Sequence, residues 1–205
     1  MFKIIQLNML LKVLLLLSIS LSIAVYEYLR VTFFQDWGIF KLITIGSIIS
    51  IILVSLLTIS FSARSIWKLF RAVNKNLYPD LNGEWVGGIV TYNANGEEEL
   101  IIDVRAIIRQ GLLTTELDMH GKSVKSFTLE CTPTIEHGQK KLYYVYRSTP
   151  KNPNWPPYDG STLLDVIDTE DGISLSGKYY TERLKNGRIY LTKISENTRC
   201  NVSYY

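Results

Sequence analysis

A run of 22 residues without a charge, from Leu42 to Ala63, constrains this chain more than any other feature of its sequence. At about 1.5 Å per residue, a helix of this run crosses the roughly 30 Å hydrocarbon core of a bilayer. A second apolar run, Met9 to Leu29, is interrupted only by Lys12 and Glu27 near its ends, where long side chains reach the headgroups. The sequence therefore predicts two membrane-spanning helices and excludes a wholly soluble chain.

The two runs are expected to form a hairpin, because the loop Arg30–Lys41 is too short for a domain and is rich in aromatic residues. Cytoplasmic flanks of membrane helices carry an excess of Lys and Arg, and here the excess lies outside the loop. We therefore expect a multi-pass protein with both termini in the cytoplasm. A cleaved signal peptide is the alternative for the first run, but no small-residue cleavage site followed by a soluble stretch precedes the second run. The basic flanking residues are Lys3, Lys12, Arg64, Lys68, Arg71 and Lys75.

Charge divides the chain into two parts. Residues 1–75 contain 8 Lys and Arg against 2 Asp and Glu, whereas residues 76–205 contain 14 against 17. The second part lacks the cationic field that binding along a nucleic-acid strand requires, so no long nucleic acid is expected as a partner. A compact dianion held by one or two arginines remains compatible with this charge.

The hydrophobic period changes to two after a transmembrane hairpin (residues 1–64) and a basic connector (65–77) that is compatible with a helix. Turn dipeptides such as Asn95-Gly96 and Asp171-Gly172 separate eight strand-like runs across residues 78–195, and a tail (196–205) follows. Eight hairpin-connected strands favour an up-and-down antiparallel barrel or a sandwich, and an eight-stranded barrel has room for side chains or one small ligand. We predict a membrane-anchored all-β protein with an eight-stranded antiparallel β-barrel. The predicted strands are Glu84–Tyr92, Glu98–Ile108, Leu112–Met119, Ser123–Thr132, Lys141–Ser148, Ser161–Ile167, Gly172–Tyr180 and Arg188–Ile194.

An enzyme is not predicted. The two histidines, His120 and His137, each precede a glycine in a predicted turn, and Cys131 and Cys200 have no partner at metal-ligand spacing. The sequence contains no phosphate-binding glycine loop and no nucleophile-elbow motif. We therefore expect no catalytic residue, no metal and no cofactor.

Side-chain alternation places polar groups at one end of two strands. Leu142, Tyr144 and Tyr146 share one face, and the face of Leu175 continues through Tyr179 to Thr181 and Arg183. If both faces point inward, the barrel is packed at one end and lined by phenols, a hydroxyl and a guanidinium at the other. Aromatic rings stack on bases and an arginine fork fits phosphate. The alternative is that these tyrosines fill the barrel or lie outside it, and alternation alone does not decide.

Three segments resemble, in order and spacing, the SMODS-associating two-transmembrane, β-strand-rich effectors of CBASS. They are Tyr78–Gly87, Leu142–Tyr146 with Pro150 after it, and Leu175–Arg183 with the Gly187-x-Ile-x-Leu run. The resemblance covers the whole chain, since those effectors also carry two N-terminal spans. It implies antiphage defence: a cyclic-nucleotide synthase makes a cyclic di- or oligonucleotide, the barrel binds it, and the spans self-associate and breach the bacterial inner membrane. The infected cell then dies before the phage matures.

The resemblance also implies which residues bind the ligand. Tyr144, Tyr146, Thr181 and Arg183 occupy the positions of the family motifs, whereas Trp85 and Tyr179 are expected to close the barrel. Two other functions stay open: a membrane-tethered, lipocalin-like barrel for an apolar ligand, with an aliphatic wall and no inward arginine, and a structural membrane subunit with a filled barrel. Further cationic candidates for the ligand site are Arg105, Arg109, Arg147 and Lys178.

Overall fold

Two apolar helices open the chain in the computed structural model, which describes residues 7–33, 38–74, 77–93, 95, 97–111 and 114–199. These helices, α1 (Leu7–Thr32) and α2 (Ile39–Thr58), pack against each other and leave most of their aliphatic side chains exposed. Both are long and apolar enough to cross a membrane, which confirms the predicted pair of apolar helices. Residues 34–37 of the predicted loop lie outside the described residues.

Small residues bring α1 and α2 together. The hydroxyls of Ser18 and Ser50 are 2.6 Å apart and form a hydrogen bond between the helices. The Ser50 hydroxyl also donates to the Gly46 carbonyl of its own helix, over 2.8 Å. Gly46 faces Ser22 of α1: a Cβ atom at Gly46 would lie 3.5 Å from the Ser22 hydroxyl, an ordinary van der Waals contact.

The second apolar run does not form one helix. α2 ends at Thr58, Ile59 has an extended conformation (φ −70°, ψ 119°), and a third helix, α3 (Ser60–Val73), begins. The Ser62 hydroxyl donates to two carbonyls at the end of α2, over 2.6 and 3.0 Å, and so replaces backbone bonds that the bend removes. The predicted span Leu42–Ala63 is therefore too long, because hydropathy does not show where a β-branched, hydroxyl-rich segment leaves the helix.

The rest of the described chain forms a closed antiparallel barrel in which each strand pairs with its neighbours along the chain and β1 pairs with β8. All eight predicted strands are present, and the barrel is confirmed over the sandwich. Several strands run past their predicted ends, since ladder hydrogen bonds continue beyond the apolar alternation. The predicted start at Leu112 lies outside the described residues. The strands are β1 (Gly83–Tyr92), β2 (Glu98–Gln110), β3 (Thr115–Gly121), β4 (Val124–Glu136), β5 (Gln139–Pro150), β6 (Tyr158–Thr169), β7 (Gly172–Thr181) and β8 (Asn186–Ser195).

The two histidines were both predicted in turns, and one prediction is wrong. His137 (φ 50°) and Gly138 (φ 78°) form the two-residue turn between β4 and β5, a conformation with positive φ at both positions. His120 and Gly121 belong to β3 instead, and His120 is buried. His120 and Gly121 are still paired with β2, opposite Arg105 and Val104. The chain therefore reverses two residues later, at residues 122–123.

One end of the barrel is filled with apolar side chains, and we call this end the floor. Trp85 is fully buried there, as expected of a residue that closes the barrel, and its indole N–H donates to the Leu81 carbonyl over 3.0 Å. The side-chain oxygen of Gln110 accepts from the Leu81 amide over 2.8 Å and holds the segment before β1 across this end. Truncation of a large buried side chain such as Trp85 costs about 3–5 kcal/mol. The other fully buried floor residues include Tyr78, Ile108, Leu117, Leu142, Leu164, Leu175 and Leu191.

Helix α3 lies against the outside of the floor. Trp67 of α3 is buried there, Arg64 pairs with Asp80 over 2.6 Å, and Lys68 pairs with Glu196 over 2.8 Å. The segment predicted as a connector is therefore mostly a docked helix. Glu196, predicted to begin a separate tail, belongs to the contact between this helix and the barrel.

Candidate functional site

The end of the barrel away from α3 is open and holds a cavity of ≈320 Å³, which we call the cup. The four main predicted ligand residues meet there: Tyr144 and Tyr146 from β5, Thr181 from the end of β7, and Arg183 from the turn after it. The volume is near the lower end of the range for small-molecule sites. The other lining residues are Ile89, Thr91, Ile102, Val104, Met119, Gly121, Lys122, Ser123, Val124, Ser126, Ser148, Tyr158, Tyr179, Lys185 and Ile189.

The tyrosines of β5 face inward. Tyr144 is 1% exposed and Tyr146 is 6% exposed, whereas Tyr143 and Val145 between them lie on the outer wall. The two inward rings stack with their centroids 5.0 Å apart and their planes at 29°. They therefore offer aromatic faces to an open cavity, and the alternative that they lie outside the barrel is wrong.

A glycine on β6 makes room for one of these rings. Gly160 pairs with Tyr146, and a Cβ atom at Gly160 would lie 2.5 Å from Cζ of that ring. Aromatic rings commonly cover strand glycines in this way. The role of Gly160 does not follow from its own segment, because it depends on the register between β5 and β6.

Tyr144 lines the cup, and its hydroxyl is buried. That hydroxyl has no hydrogen-bond partner among the residues that the structure describes. Burial, with smaller contributions from Cys131 and Tyr146, raises the pKa of the Tyr144 phenol well above its ordinary value. The group therefore stays neutral and able to donate, and an unsatisfied buried hydroxyl costs about 1–3 kcal/mol. A polar ligand atom that reaches it would recover this energy.

Further phenols gather between the base and the rim. Burial, followed by the proximity of Tyr158 and Tyr179, raises the pKa of the Tyr146 phenol. Tyr179 was expected to close the barrel with Trp85, but it lines the cup. The reason is position along β7: the floor is already filled at Leu175, and Tyr179 lies four residues, or two inward positions, nearer the open end.

A cation lies at the rim. The Arg183 guanidinium is 4.1 Å from the centre of the Tyr158 ring and donates to the Pro156 carbonyl. Although exposed, it is held over the cup by a cation–π contact and a hydrogen bond. Lys122, between β3 and β4, and Lys185, between β7 and β8, also line the cup. This edge suits an anionic group such as phosphate.

The four further cationic candidates lie outside the cup, so the structure does not support them as ligand residues. Their positions in the strands have the opposite parity to the inward residues, which directs them to the outer wall. Arg105 pairs with Glu84, Arg109 with Asp118, and Arg147 with both oxygens of Asp159, and Lys178 is exposed.

Residues missed by sequence reasoning complete the cup wall. Ser126 and Ser148 face each other from β4 and β5, with their hydroxyls 2.9 Å apart. Ser148 has the same parity as Tyr144 and Tyr146, and this signal was available in the sequence. The rim lysines come from turns, and only the strand order shows that their turns lie at the open end.

A barrel that is closed at its floor and open to a phenol-lined, cation-rimmed cup is typical of a receptor for a small molecule, and here two helices long and apolar enough to cross a membrane precede it. Residues 76–193, more than half of the chain, match the family described as "Cap15, cyclic dinucleotide receptor domain". The "CD-NTase-associated protein 15" of Staphylococcus schleiferi is 30% identical over 132 residues, which are 62% of this chain and 67% of that protein. The chain therefore belongs to the Cap15 family of CBASS effectors, which confirms the resemblance. The receptor domain and the effector family indicate a non-catalytic sensor of cyclic nucleotides, linked to a cyclic-nucleotide synthase.

Proposed function

We propose that the cup binds a cyclic dinucleotide made by a CD-NTase, and that binding drives assembly of the membrane helices and disruption of the bacterial inner membrane. The observation that carries this proposal is the combination, in a Cap15 receptor domain, of stacked inward phenols with a guanidinium at an open rim. A barrel for an apolar ligand would have an aliphatic wall without that cation.

Each part of the cup has a role in this proposal. Bases stack on the phenol rings of Tyr146 and its neighbours, each stacking contact contributing about 1–3 kcal/mol. Arg183 binds a ligand phosphate from the rim. Thr181 lines the cup beside it, and its hydroxyl, which donates to the Lys185 carbonyl and accepts from the Lys185 amide, holds the turn that carries Arg183. Tyr144 donates its buried hydroxyl to a polar atom of the base that enters deepest. A ligand with two nucleobases and two phosphates can contact both the aromatic wall and the cationic rim of the cup.

The proposed output is self-association in the membrane. The flanks of the apolar helices support an orientation with both termini and the barrel in the cytoplasm, where a synthase releases its product. A ligand shifts an assembly equilibrium only by its differential affinity for the assembled state. The ligand must therefore bind the assembled form more tightly than the single chain. Membrane rupture and death of the infected cell follow from the resulting shift toward assembly.

The proposal is tested by titrating the full chain, in lipid nanodiscs, with cyclic dinucleotides. We expect Arg183→Ala to weaken binding about tenfold to a hundredfold, because a charge-assisted hydrogen bond contributes about 1.5–3 kcal/mol. Lys178→Ala removes an exposed cation from the outer wall of β7, the strand that precedes the turn of Arg183, and serves as the matched control, with unchanged affinity.

Equal affinity of the Arg183→Ala variant and the parent chain would remove the rim cation from the site. Binding of a fatty acid with no response to any cyclic dinucleotide would favour the apolar-ligand barrel. No thermal shift with either class of ligand would favour a structural subunit.

A further inference from the structure

Helix α3 has two chemically different faces, and one of them packs against the barrel floor. Arg64, Trp67, Lys68 and Arg71 follow the spacing of one helical face and turn toward the barrel floor. The Trp67 indole N–H donates to the Tyr78 carbonyl over 2.9 Å. The three cations pair with acidic residues of the floor: Arg64 with Asp80, Lys68 with Glu196, and Arg71 with Asp168.

The other face of α3 is apolar and exposed. Leu69 is 68% exposed, Phe70 58% and Val73 86%, and Phe61 at the start of the helix is 82% exposed. These large side chains follow one another along the side that is turned away from the barrel. An apolar stripe of this kind on a helix with a charged opposite face is the pattern of a helix that lies in a membrane interface.

The position of α3 in the chain indicates what covers this face. Ile59 is at once the last cap of α2 and the first cap of α3, so α3 begins one residue after an apolar helix long enough to span a bilayer. The bilayer surface is therefore the nearest large apolar phase. The cations of α3 are paired with the barrel, which leaves hydrophobic insertion, rather than attraction to anionic headgroups, as the source of binding.

We propose that α3 lies in the plane of the membrane interface, with Leu69, Phe70 and Val73 inserted at the boundary between headgroups and acyl chains and the barrel floor on its polar side. The proposal rests on the proposed anchoring of α1 and α2. It makes α3 a platform that holds the barrel against the membrane with the cup facing away from the lipid.

Spin-label accessibility in the full chain tests this arrangement. A Cys200→Ser background keeps only the buried Cys131, and nitroxides are placed one at a time at Leu69→Cys and Val73→Cys in phosphatidylcholine vesicles. We expect both labels to collide more with oxygen, which concentrates in lipid, than with an aqueous nickel chelate. Leu184→Cys, 92% exposed beside the rim, is the matched water-exposed control and should show the opposite order.

A label at Ile51→Cys, in the middle of α2, separates this proposal from the anchoring on which it depends. Lipid accessibility at Ile51 with water accessibility at Leu69 and Val73 would overturn the interface helix and leave the anchoring intact. Water accessibility at all three would overturn both. Spin–spin broadening at Leu69 that disappears on dilution with unlabelled protein would show that a second copy covers the face instead of lipid. Replacing half of the phosphatidylcholine with phosphatidylglycerol should leave the accessibilities unchanged, and insertion only with the anionic lipid would overturn the hydrophobic mechanism.

Discussion

Tyr144 is subject to two opposing requirements. Its ring is packed against Tyr146 in the barrel, while its hydroxyl is buried without a hydrogen-bond partner among the described residues. A group of this kind weakens the unliganded fold, since water has been removed from the hydroxyl and nothing has replaced it. The loss is tolerable in a receptor if the ligand supplies the missing acceptor.

Tyr144→Phe should therefore have effects of opposite sign on stability and on binding. We expect the free energy of unfolding of the unliganded protein to rise by about 1 kcal/mol, because the unsatisfied hydroxyl is gone, and affinity for the cyclic dinucleotide to fall about tenfold. Denaturant unfolding and calorimetric titration measure the two quantities. Tyr143→Phe, which removes an exposed hydroxyl bonded to Glu136 on the outer wall, is the control and should leave affinity unchanged. A Tyr144→Phe variant that binds as well as the parent would contradict the role of the hydroxyl.

At the scale of the elements, the contact between α3 and the floor is electrostatic around a buried tryptophan. Burial by itself would raise the pKa of Asp80, but hydrogen bonds from Arg64 and Asn82 outweigh it and lower that pKa. The hydrogen bond from Lys68 is the main cause that lowers the pKa of Glu196. The docked helix therefore stabilises the ionised forms of these carboxyl groups.

Arg64→Ala should weaken this contact strongly. The Asp80 side chain is only 9% exposed, so its charge would be left buried without its cation. We expect the free energy of unfolding to fall by about 2–3 kcal/mol, below the roughly 3–5 kcal/mol of a fully buried pair because the Arg64 side chain is itself 25% exposed. Arg109→Ala breaks an exposed pair on the barrel wall and should change stability by less than about 1 kcal/mol. Equal effects of the two substitutions in denaturant unfolding would contradict this account.

Acid should undo the same contact. The pKa values of Asp80 and Glu196 are lower in the folded protein than their ordinary values, so the unfolded chain binds more protons and stability falls as pH falls. We expect thermal stability to be nearly level from neutral pH down to about pH 5 and to decline below about pH 4, near the ordinary carboxyl pKa values. The decline should be shallower in Arg64→Ala. A stability that increases on acidification would show that these carboxyl groups are not held in the charged form.

Sequence reasoning reached the strands, the inward tyrosines and a connector compatible with a helix, but not the docking of α3 on the barrel. Period-two alternation is a local signal, and it correctly placed Tyr144 and Tyr146 on one face. The same alternation excludes Arg147 from that face, and reading it would have removed this candidate. The pair between Arg64 and Glu196 is different, because 132 residues separate the two side chains and no local pattern connects them. The bend at Ile59 is hidden for a different reason: the charge-free run continues through it to Ala63.

At the scale of the whole molecule, the cup and the apolar helices lie at opposite ends of the barrel, so the ligand site and the membrane helices do not touch. A response in the membrane must pass through the barrel wall or through contacts between neighbouring barrels.

The proposed assembly predicts a change in size on binding. In mild detergent the full chain should form larger particles when a cognate cyclic dinucleotide is added, as measured by light scattering after size-exclusion chromatography, because ligand is expected to favour the assembled form. Arg183→Ala should stay small at the same ligand concentration. Particles of unchanged mass across the cyclic dinucleotides, with binding demonstrated in the same sample, would separate sensing from assembly and contradict the proposed output.

Closure of the sheet has a consequence for a protein concentrated in two dimensions. Since β1 is paired with β8, the described strands form a ring without a terminal edge strand. Where β3 and β4 share only two residue pairs, the Thr128 hydroxyl bonds to both the N–H and the C=O of Leu117. Crowding at the bilayer is therefore a poor route to joining copies by strand addition, a contact that would be slow to reverse. Contacts between neighbouring copies therefore depend on side chains, and a small diffusible ligand can strengthen or weaken such contacts reversibly.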